Sequence, residues 1–264
     1  MDETPDGLAE AALEAARRAG DLALRFFGRR IPVEQKADGS PVTEADREAE
    51  RVAREWIALR FPADGILGEE HGAIRQEAPR RWLIDPIDGT KSFVRGVPLW
   101  GSLVALVEAD RVLAGAAYFP ALGERLAAAP GRGCWWNGVR CGVSGVADLG
   151  RATVLATDER FVAHPARREG WLRLAGAAAV SRTWGDCYGY LLVATGRAEV
   201  MVDPALSPWD AAPLKPIIEE AGGVFTDWDG NRGFGGDSAI ATNAALAADA
   251  RRALGCVEGG ASRG

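Results

Sequence analysis

The most informative part of this sequence is the stretch WLIDPIDGT at residues 82–90. Its apolar start predicts a buried strand that runs into Asp85, where Pro86 bends the chain and Gly89 allows a tight turn. Asp85 and Asp88 then lie together at a strand end, and two such like charges are unfavourable there without a cation. Carboxylate oxygens are the ligands that Mg²⁺ prefers. The stretch therefore indicates either a magnesium site or a polar turn capped by aspartate.

Two further acidic clusters lie on either side of this stretch. Residues 68–70 are Gly, Glu and Glu, and residues 207–213 have the sequence SPWDAAP. Asp210 takes the position of a helix N-cap, and Gly222 and Gly223 end the helix that follows it. Taken alone, the first cluster also fits an exposed surface, and Asp210 could act only as a cap.

The N-terminal part has two amphipathic patterns. Apolar residues recur at helical spacing from Leu8 to Phe27 and stop at Gly28, which predicts a first helix. A second helix is predicted over Glu44–Arg60, with Thr43 as its N-cap three residues before Asp46. The loop between the two helices carries Gly and Pro, so we expect it to be exposed.

Strand patterns dominate the middle of the chain and then alternate with helices. The predicted strands are Trp82–Asp85, Ser102–Val107, Val112–Phe119, Thr153–Thr157, Ala198–Val202 and Gly223–Thr226, and helices are predicted over Tyr188–Thr195 and after Asp210. Because the elements interleave without a regular βαβ repeat, we predict an α/β (α+β) fold of alternating helix and sheet layers. We expect an N-terminal half over residues 1–145, a C-terminal half over 146–255 that supplies Asp210, and a disordered tail over 256–264.

Composition and charge exclude several functional classes. The chain has 264 residues, a formal net charge of −6 and a pI near 5.2, so no overall field attracts nucleic acid. The uncharged run Val112–Gly123 is too short to span a bilayer, and the acidic N-terminus does not resemble a secretory signal. The four cysteines form no CxxC pair and there are two histidines, which argues against zinc and for reduced thiols. We therefore predict a cytoplasmic protein without membrane or nucleic-acid partners.

The three acidic clusters, together with VTEAD at residues 42–46, resemble the inositol monophosphatase superfamily. The resemblance covers nearly the whole chain, with GEE at 68–70, DPIDGT at 85–90 and WD at 209–210 in the expected order. It implies a fold like that of the sugar phosphatases and a Mg²⁺-dependent phosphatase that acts on a small phosphorylated metabolite. It also implies a homodimer.

The resemblance implies a metal site of two to three Mg²⁺ ions per active site. Glu69, Asp85 and the carbonyl of Ile87 hold one ion in this family, and Asp85, Asp88 and Asp210 hold a second. Glu69 also borders a third, weaker site. Metals supply the positioning and charge neutralisation that phosphoryl transfer needs.

Catalytic and phosphate-binding roles are implied in the same way. Thr90 and Asp46, together with Glu69, position and deprotonate the attacking water. The main-chain N–H groups of Gly89 and Thr90 bind the phosphate, and Lys36 lies in a loop that approaches the site.

The substrate is indicated by a narrower resemblance to the histidinol-phosphate phosphatase branch. It rests on Lys-Ser-Phe at residues 91–93, GDCYGY at 185–190 and VFTDW at 224–228. Histidinol phosphate carries an ammonium group and an imidazole, so its pocket should offer extra carboxylates, for which Asp186 and Asp203 are the candidates.

The pocket could also use residues whose structural alternatives are equally good. Trp184 or Tyr188 could stack on the imidazole or pack in the core, and Arg182 could contact substrate or remain a solvated charge. Inositol monophosphatase is the alternative activity. A nucleotide bisphosphate phosphatase or a non-catalytic regulatory protein is less well supported, because no basic pocket for a second phosphate is visible and every expected metal ligand is present.

Overall fold

The computed structural model describes residues 3–37, 39–162 and 164–256. Its α-helices are α1 (Pro5–Leu24), α2 (Glu44–Arg60), α3 (Thr90–Phe93), α4 (Arg168–Ala177), α5 (Asp186–Ala194), α6 (Pro208–Glu220) and α7 (Ala247–Leu254). Short 3₁₀ turns occupy Leu149–Arg151 and Pro165–Arg167. None of the described helices is long and apolar enough to cross a bilayer.

The strands form a short hairpin and two larger sheets. The hairpin pairs β1 (Glu34–Gln35) with β2 (Pro41–Val42). The remaining strands are β3 (Gly65–Gly68), β4 (Gly72–Ile74), β5 (Arg80–Asp88), β6 (Gly101–Glu108), β7 (Arg111–Phe119), β8 (Glu124–Ala128), β9 (Cys134–Trp136), β10 (Val139–Cys141), β11 (Thr153–Ala156), β12 (Val180–Arg182), β13 (Val200–Asp203), β14 (Gly223–Thr226) and β15 (Ala239–Asn243). The larger sheet has the order β10-β9-β8-β7-β6-β5-β3-β4 and the smaller has the order β12-β11-β13-β15-β14.

Helices and sheets alternate as layers. Helices α1 and α2 bury an alanine-rich face against one side of the eight-stranded sheet, and α5 and α6 fill the space between the two sheets. Helices α4 and α7 cover the far side of the five-stranded sheet. The predicted α/β fold of alternating layers is confirmed. The eight-stranded sheet ends before residue 146 and the five-stranded sheet begins after it.

Local sequence signals account for most helix boundaries. Thr43 caps α2 as predicted, and its capping box is closed by Asp46, whose carboxylate accepts from the Thr43 N–H over 2.8 Å. Helix α1 ends at Leu24, earlier than the predicted stop at Gly28, because the chain tightens into turns after it.

One predicted cap is wrong. Asp210 is not the N-cap of α6, because that helix begins at Pro208 and its N-cap is Ser207. Pro at the first helical position costs no hydrogen bond, which allows the earlier start. Asp210 is instead the third helical residue, and its Oδ2 accepts from the Ser207 N–H over 3.1 Å.

The predicted tail begins at residue 256 and, beyond Cys256, lies outside the described residues. The chain up to that point is held in place, since Gly255 adopts the left-handed conformation that closes α7 and the Cys256 N–H donates to the Arg251 carbonyl.

Candidate active site

A bulge in β5 shapes the first part of the site. Asp85 pairs with Leu103 and Asp88 with Gly101, so β5 has one more residue than β6 over this interval. Pro86 fits the bulge because it has no N–H to lose, and its carbonyl accepts from the Ser102 hydroxyl over 2.6 Å. The Ile87 N–H donates to Oδ1 of Asp85 over 2.9 Å. The bulge therefore fixes two carboxylates at the end of one strand.

Glu69 lies beside Asp85 because their strands are parallel neighbours. Gly68 at the end of β3 pairs with Ile84 of β5, and the Glu69 N–H donates to the Ile84 carbonyl over 3.2 Å. The carboxyl ends of the two strands thus bring Glu69 and Asp85 to the same edge of the sheet.

The turn after β5 requires glycine. Gly89 has φ +88°, and a Cβ at this position would lie 3.0 Å from the Leu99 carbonyl and 3.2 Å from Oδ2 of Asp186. It leads into α3, whose first residue is Thr90. The backbone that was predicted to bind phosphate is therefore packed directly against Asp186.

Helix α2 reaches the same turn from the other side of the sheet edge. The Thr90 hydroxyl lies 3.0 Å from the Ile87 carbonyl and 3.3 Å from Oδ1 of Asp46. Asp46 is buried, and burial raises the pKa of its carboxyl. Thr90 and Asp46 consequently form a connected pair next to the bulge.

Lys36 pairs with both glutamates of the Gly-Glu-Glu segment. Its Nζ lies 2.7 Å from Oε1 of Glu69 and 2.6 Å from Oε1 of Glu70. Although burial opposes it, this pairing raises the pKa of Lys36. Burial raises the pKa of Glu70 to about 7. Lys36 is thus less exposed than the sequence predicts, and it neutralises Glu69 in this arrangement.

The C-terminal half contributes two helix N-termini to the site. Asp210 lies in the first turn of α6, and its Oδ1 is buried without a hydrogen-bond partner. At the start of α5, the Cys187 N–H donates to Oδ2 of Asp88 over 2.7 Å. A helix N-terminus stabilises negative charge, so α5 favours the ionised form of Asp88.

The clustered carboxylates strongly perturb one another. Burial raises the pKa of Asp85 well above its usual range, and the charges of Glu69 and Asp210 raise it further. Burial also raises the pKa of Asp88 well above its usual range, and the charge of Asp186 raises it further. Burial raises the pKa of Asp210 to about 7, and the charge of Glu69 raises it further. Without a cation, this cluster therefore retains protons that isolated aspartates would lose near pH 4.

These residues fit a hard divalent cation such as Mg²⁺. The donors are carboxylate and carbonyl oxygens, their mutual repulsion needs positive charge, and the buried Oδ1 of Asp210 lacks a partner. Among the residues that the structure describes, no three His, Cys, Asp or Glu side chains are placed so that together they could hold a metal ion. The Glu69 carboxylate instead forms an ion pair with Lys36. This pairing offsets the repulsion between Glu69 and the neighbouring carboxylates.

Gly89 and Thr90, whose N–H groups are predicted to bind phosphate, form a segment that we call the phosphate turn. Of the candidate substrate-binding residues, Asp186 lies closest to it. It has φ +50°, an uncommon conformation for a residue with a side chain, and its N–H donates to Oγ1 of Thr157 over 2.8 Å. Burial raises the pKa of Asp186 to about 6, and the charge of Lys91 opposes this shift.

Asp203 lies deeper than Asp186. It is 4% exposed at the end of β13, and the Tyr190 hydroxyl donates to its Oδ2 over 2.9 Å. Burial raises the pKa of Asp203 to about 7, opposed by a hydrogen bond from Thr157 and increased by the charge of Asp186. The charges of Asp203 and Asp186 therefore act on each other.

The other candidate substrate-binding residues differ in their exposure to solvent. Arg182 is exposed on the edge strand β12, where its guanidinium carbon lies 5.9 Å from the centre of the Trp184 ring. Trp184 is 42% exposed, immediately before the glycine that precedes Asp186. Tyr188 packs edge-on against Phe119 at 5.8 Å, which is the core-packing alternative.

Two residues that organise the site cannot be identified from local sequence patterns. Thr157 is a single hydroxyl after β11, and the Cys187 contact uses a backbone N–H that any residue would supply. Both act on partners far away in the chain, so local patterns could not identify them.

The chain is similar to known proteins both in sequence and in fold. The model of the inositol monophosphatase family matches residues 5–256. The chain is 44% identical to the histidinol-phosphatase of Chlorobaculum parvum, covering 96% of this chain and 97% of that protein. It is 41% identical to the histidinol-phosphatase of Mycobacterium tuberculosis, covering 89% and 93%. The structure of the extragenic suppressor protein suhB from Bartonella henselae superposes with a TM-score of 0.88 at 28% identity, covering 94% and 98%.

Proposed function

The chain belongs to the inositol monophosphatase family, and we propose that it is a Mg²⁺-dependent phosphatase that hydrolyses L-histidinol phosphate to L-histidinol and inorganic phosphate. This reaction is a step of histidine biosynthesis. The two relatives named histidinol-phosphatase support the assignment because each is matched over most of its length.

The observation that carries the proposal is the packing of Asp186 against Gly89. In histidinol phosphate the ammonium group is on the carbon next to the ester methylene, so it must lie close to the bound phosphate. A carboxylate beside the phosphate turn is therefore in position to accept a charge-assisted hydrogen bond from it. Inositol phosphates carry only hydroxyl groups at the corresponding distance, so this pocket suits them less well.

We assign the metal ligands by family resemblance and by the carboxylate cluster. Glu69, Asp85 and the Ile87 carbonyl would hold one ion, and Asp85, Asp88 and Asp210 would hold a second. Glu69 would also border a third ion. The orphaned Oδ1 of Asp210 supports this assignment. When bound, Mg²⁺ supplies positive charge for the phosphoryl oxygens and makes water easier to deprotonate.

The proposed proton path runs from the attacking water through the Thr90 hydroxyl to Asp46. The Thr90 hydroxyl orients the water and accepts a proton from it, while its own hydroxyl proton passes to Oδ1 of Asp46, 3.3 Å away. The raised pKa of Asp46 makes it a better base than an ordinary aspartate. Glu69 accepts from the same water, and the N–H groups of Gly89 and Thr90 hold the phosphate in line for attack.

Lys36 has a separate role in this scheme. It neutralises Glu69 and Glu70 while they face no other cation. Mg²⁺ would compete with Lys36 for Glu69, so the ion pair must open before turnover.

A phosphate-release assay with Mg²⁺ tests the function. L-histidinol phosphate, inositol 1-phosphate and adenosine 3′,5′-bisphosphate would be compared at equal concentration, with EDTA as the blank. We expect the highest kcat/KM for histidinol phosphate and no release in EDTA. A preference for inositol phosphate would assign the alternative activity of the family, and no release from any ester would favour a regulatory binding protein.

We also propose that the protein is a cytoplasmic homodimer. The support is the family resemblance, and sedimentation velocity of the full chain would test the dimer directly.

A further inference from the structure

Helix α2 presents three polar side chains to the active site on consecutive turns. Asp46, Glu50 and Arg54 are spaced four residues apart, so they lie on one face of the helix. Asp46 contacts Thr90, whereas Glu50 and Arg54 contact the segment that follows β3. Sequence patterns single out only the first of these residues.

Glu50 is fully buried and accepts hydrogen bonds from the turn that carries Glu69. Its Oε2 lies 2.7 Å from the Glu70 N–H nitrogen, and its Oε1 lies 3.2 Å from that of His71. Oε1 also accepts from Arg54 over 2.8 Å. A buried carboxylate is costly unless it is paired, and here every partner except Arg54 is a backbone N–H within two residues of Glu69.

Two further contacts hold the two ends of the turn that carries Glu69. Gly68 lies so close to Glu50 that a Cβ there would be 2.0 Å from Oε1, so glycine is required at the position before Glu69. Arg54 donates to the Gly72 carbonyl over 2.9 Å, which anchors the far end of the same turn.

We propose that Glu50 is a positioning residue for the metal ligand Glu69. By fixing the N–H groups of Glu70 and His71, it sets the backbone from which Glu69 extends, and Asp46 on the same helix places Thr90 relative to it. Helix α2 thereby fixes the proposed base, Asp46, and the proposed metal ligand, Glu69, relative to each other. The inference rests on the metal-binding part of the proposed function and is independent of the substrate.

The test is Mg²⁺ binding to the EDTA-treated, dialysed protein by calorimetry, without substrate. Glu50→Gln keeps the volume but offers the turn one acceptor oxygen in place of two. The matched control is Glu199→Gln, because Glu199 is a carboxylate of similar burial that accepts from Ser144 and Thr153 in the C-terminal half. Outer-shell partners of metal ligands are typically worth 10–100-fold in affinity, so we expect Glu50→Gln to weaken Mg²⁺ binding at least tenfold and Glu199→Gln to leave it unchanged.

Amide hydrogen exchange of metal-free protein gives a second readout. We expect faster exchange at residues 69–72 in Glu50→Gln and no change there in Glu199→Gln. Gly68→Ala displaces the Glu50 carboxylate without altering it chemically, and it should weaken Mg²⁺ binding in the same direction if Glu50→Gln does not fold.

Equal Mg²⁺ affinity in Glu50→Gln and wild type, or in Gly68→Ala and wild type, would overturn the positioning role. Failure of the wild type to hydrolyse histidinol phosphate, with the Mg²⁺ difference intact, would overturn only the proposed substrate.

Discussion

The main-chain N–H of Cys187 donates a 2.7 Å hydrogen bond to Oδ2 of Asp88 and so joins the two halves of the molecule at the acidic cluster. Asp88 ends β5 of the eight-stranded sheet, and Cys187 begins α5 on the other side of the site. The position of the Asp88 carboxylate is therefore tied to the packing of α5 against the end of β5.

Neutralising a proposed metal ligand should separate activity from folding. We expect Asp210→Asn to keep side-chain volume but lower kcat on histidinol phosphate at least 100-fold, about 2.7 kcal/mol of transition-state stabilisation. In EDTA the variant should unfold at the same or a higher temperature than wild type, because repulsion with Asp85 and Glu69 is relieved. Steady-state kinetics at saturating Mg²⁺ and thermal denaturation in EDTA measure the two effects.

Asp64 provides the matched control for that substitution. It is a buried aspartate outside the cluster that accepts from Trp82 and Arg80. Asp64→Asn should lower the unfolding temperature and leave kcat nearly unchanged. Asp210→Asn retaining more than a tenth of wild-type kcat would contradict its assignment as a ligand.

The carboxylate cluster should make the metal-free protein less stable as pH rises. The pKa of Asp203 and of Asp210 is raised to about 7 in the folded state, against an ordinary value near 4 in the unfolded chain. Between these values the folded state binds more protons than the unfolded state, so the free energy of unfolding falls with increasing pH. We expect the unfolding temperature in EDTA to drop between pH 5 and pH 8.

Mg²⁺ provides the control for this pH series. By replacing the protons of the cluster, it should raise the unfolding temperature more at pH 8 than at pH 5, since ligands that bind only the folded state stabilise it. An unfolding temperature in EDTA that stays flat or rises across this range would show that the carboxylates are not protonated in the folded state.

The phosphate turn should tolerate no side chain at residue 89. Gly89→Ala introduces left-handed strain and also pushes a methyl group toward the Leu99 carbonyl and Asp186. We expect at least a tenfold loss of kcat/KM, about 1.4 kcal/mol, together with a lower unfolding temperature. Gly123→Ala is the control, because Gly123 has a similar φ of +66° and no atom within 4 Å of the added Cβ. If both variants lose activity equally, the effect comes from strain and not from contacts at the turn.

Local signals explain what the sequence predicted well. DPIDGT and the Thr43–Asp46 capping box specify their own conformation within a few residues, so the irregularity at Pro86 and the start of α2 are predicted correctly, although β5 continues to Asp88, past its predicted end at Asp85. The start of α6 was misplaced because Ser207, Pro208 and Asp210 all favour helix N-termini. The capping box between Ser207 and Asp210, with Pro208 as the first helical residue, selects Ser207.

Long-range contacts explain what the sequence could not predict. Cys187 and Asp88 are 99 positions apart, and Glu50 reaches the Glu70 amide from 20 positions away. In both cases the donor is a backbone N–H, which carries no residue-type signal. Buried charges such as Glu50 follow the pattern of an ordinary amphipathic helix, and their function becomes visible only with their partners.

Substrate discrimination should depend on Asp186 more than on the metal cluster. Asp186→Asn removes the carboxylate beside Gly89, and a lost charge-assisted contact should cost about 1.5–3 kcal/mol in kcat/KM for histidinol phosphate. p-Nitrophenyl phosphate has no ammonium group, so its hydrolysis should barely change. Asp203→Asn should show the same selectivity if Asp203 also faces the ammonium group, whereas Tyr190→Phe removes only the hydroxyl bonded to Asp203 and serves as the control. Kinetics of both esters at fixed salt and Mg²⁺ make the comparison. Equal losses on the two esters in Asp186→Asn would mean that Asp186 supports the metal site or the fold, and the basis for histidinol phosphate as substrate would then be lost.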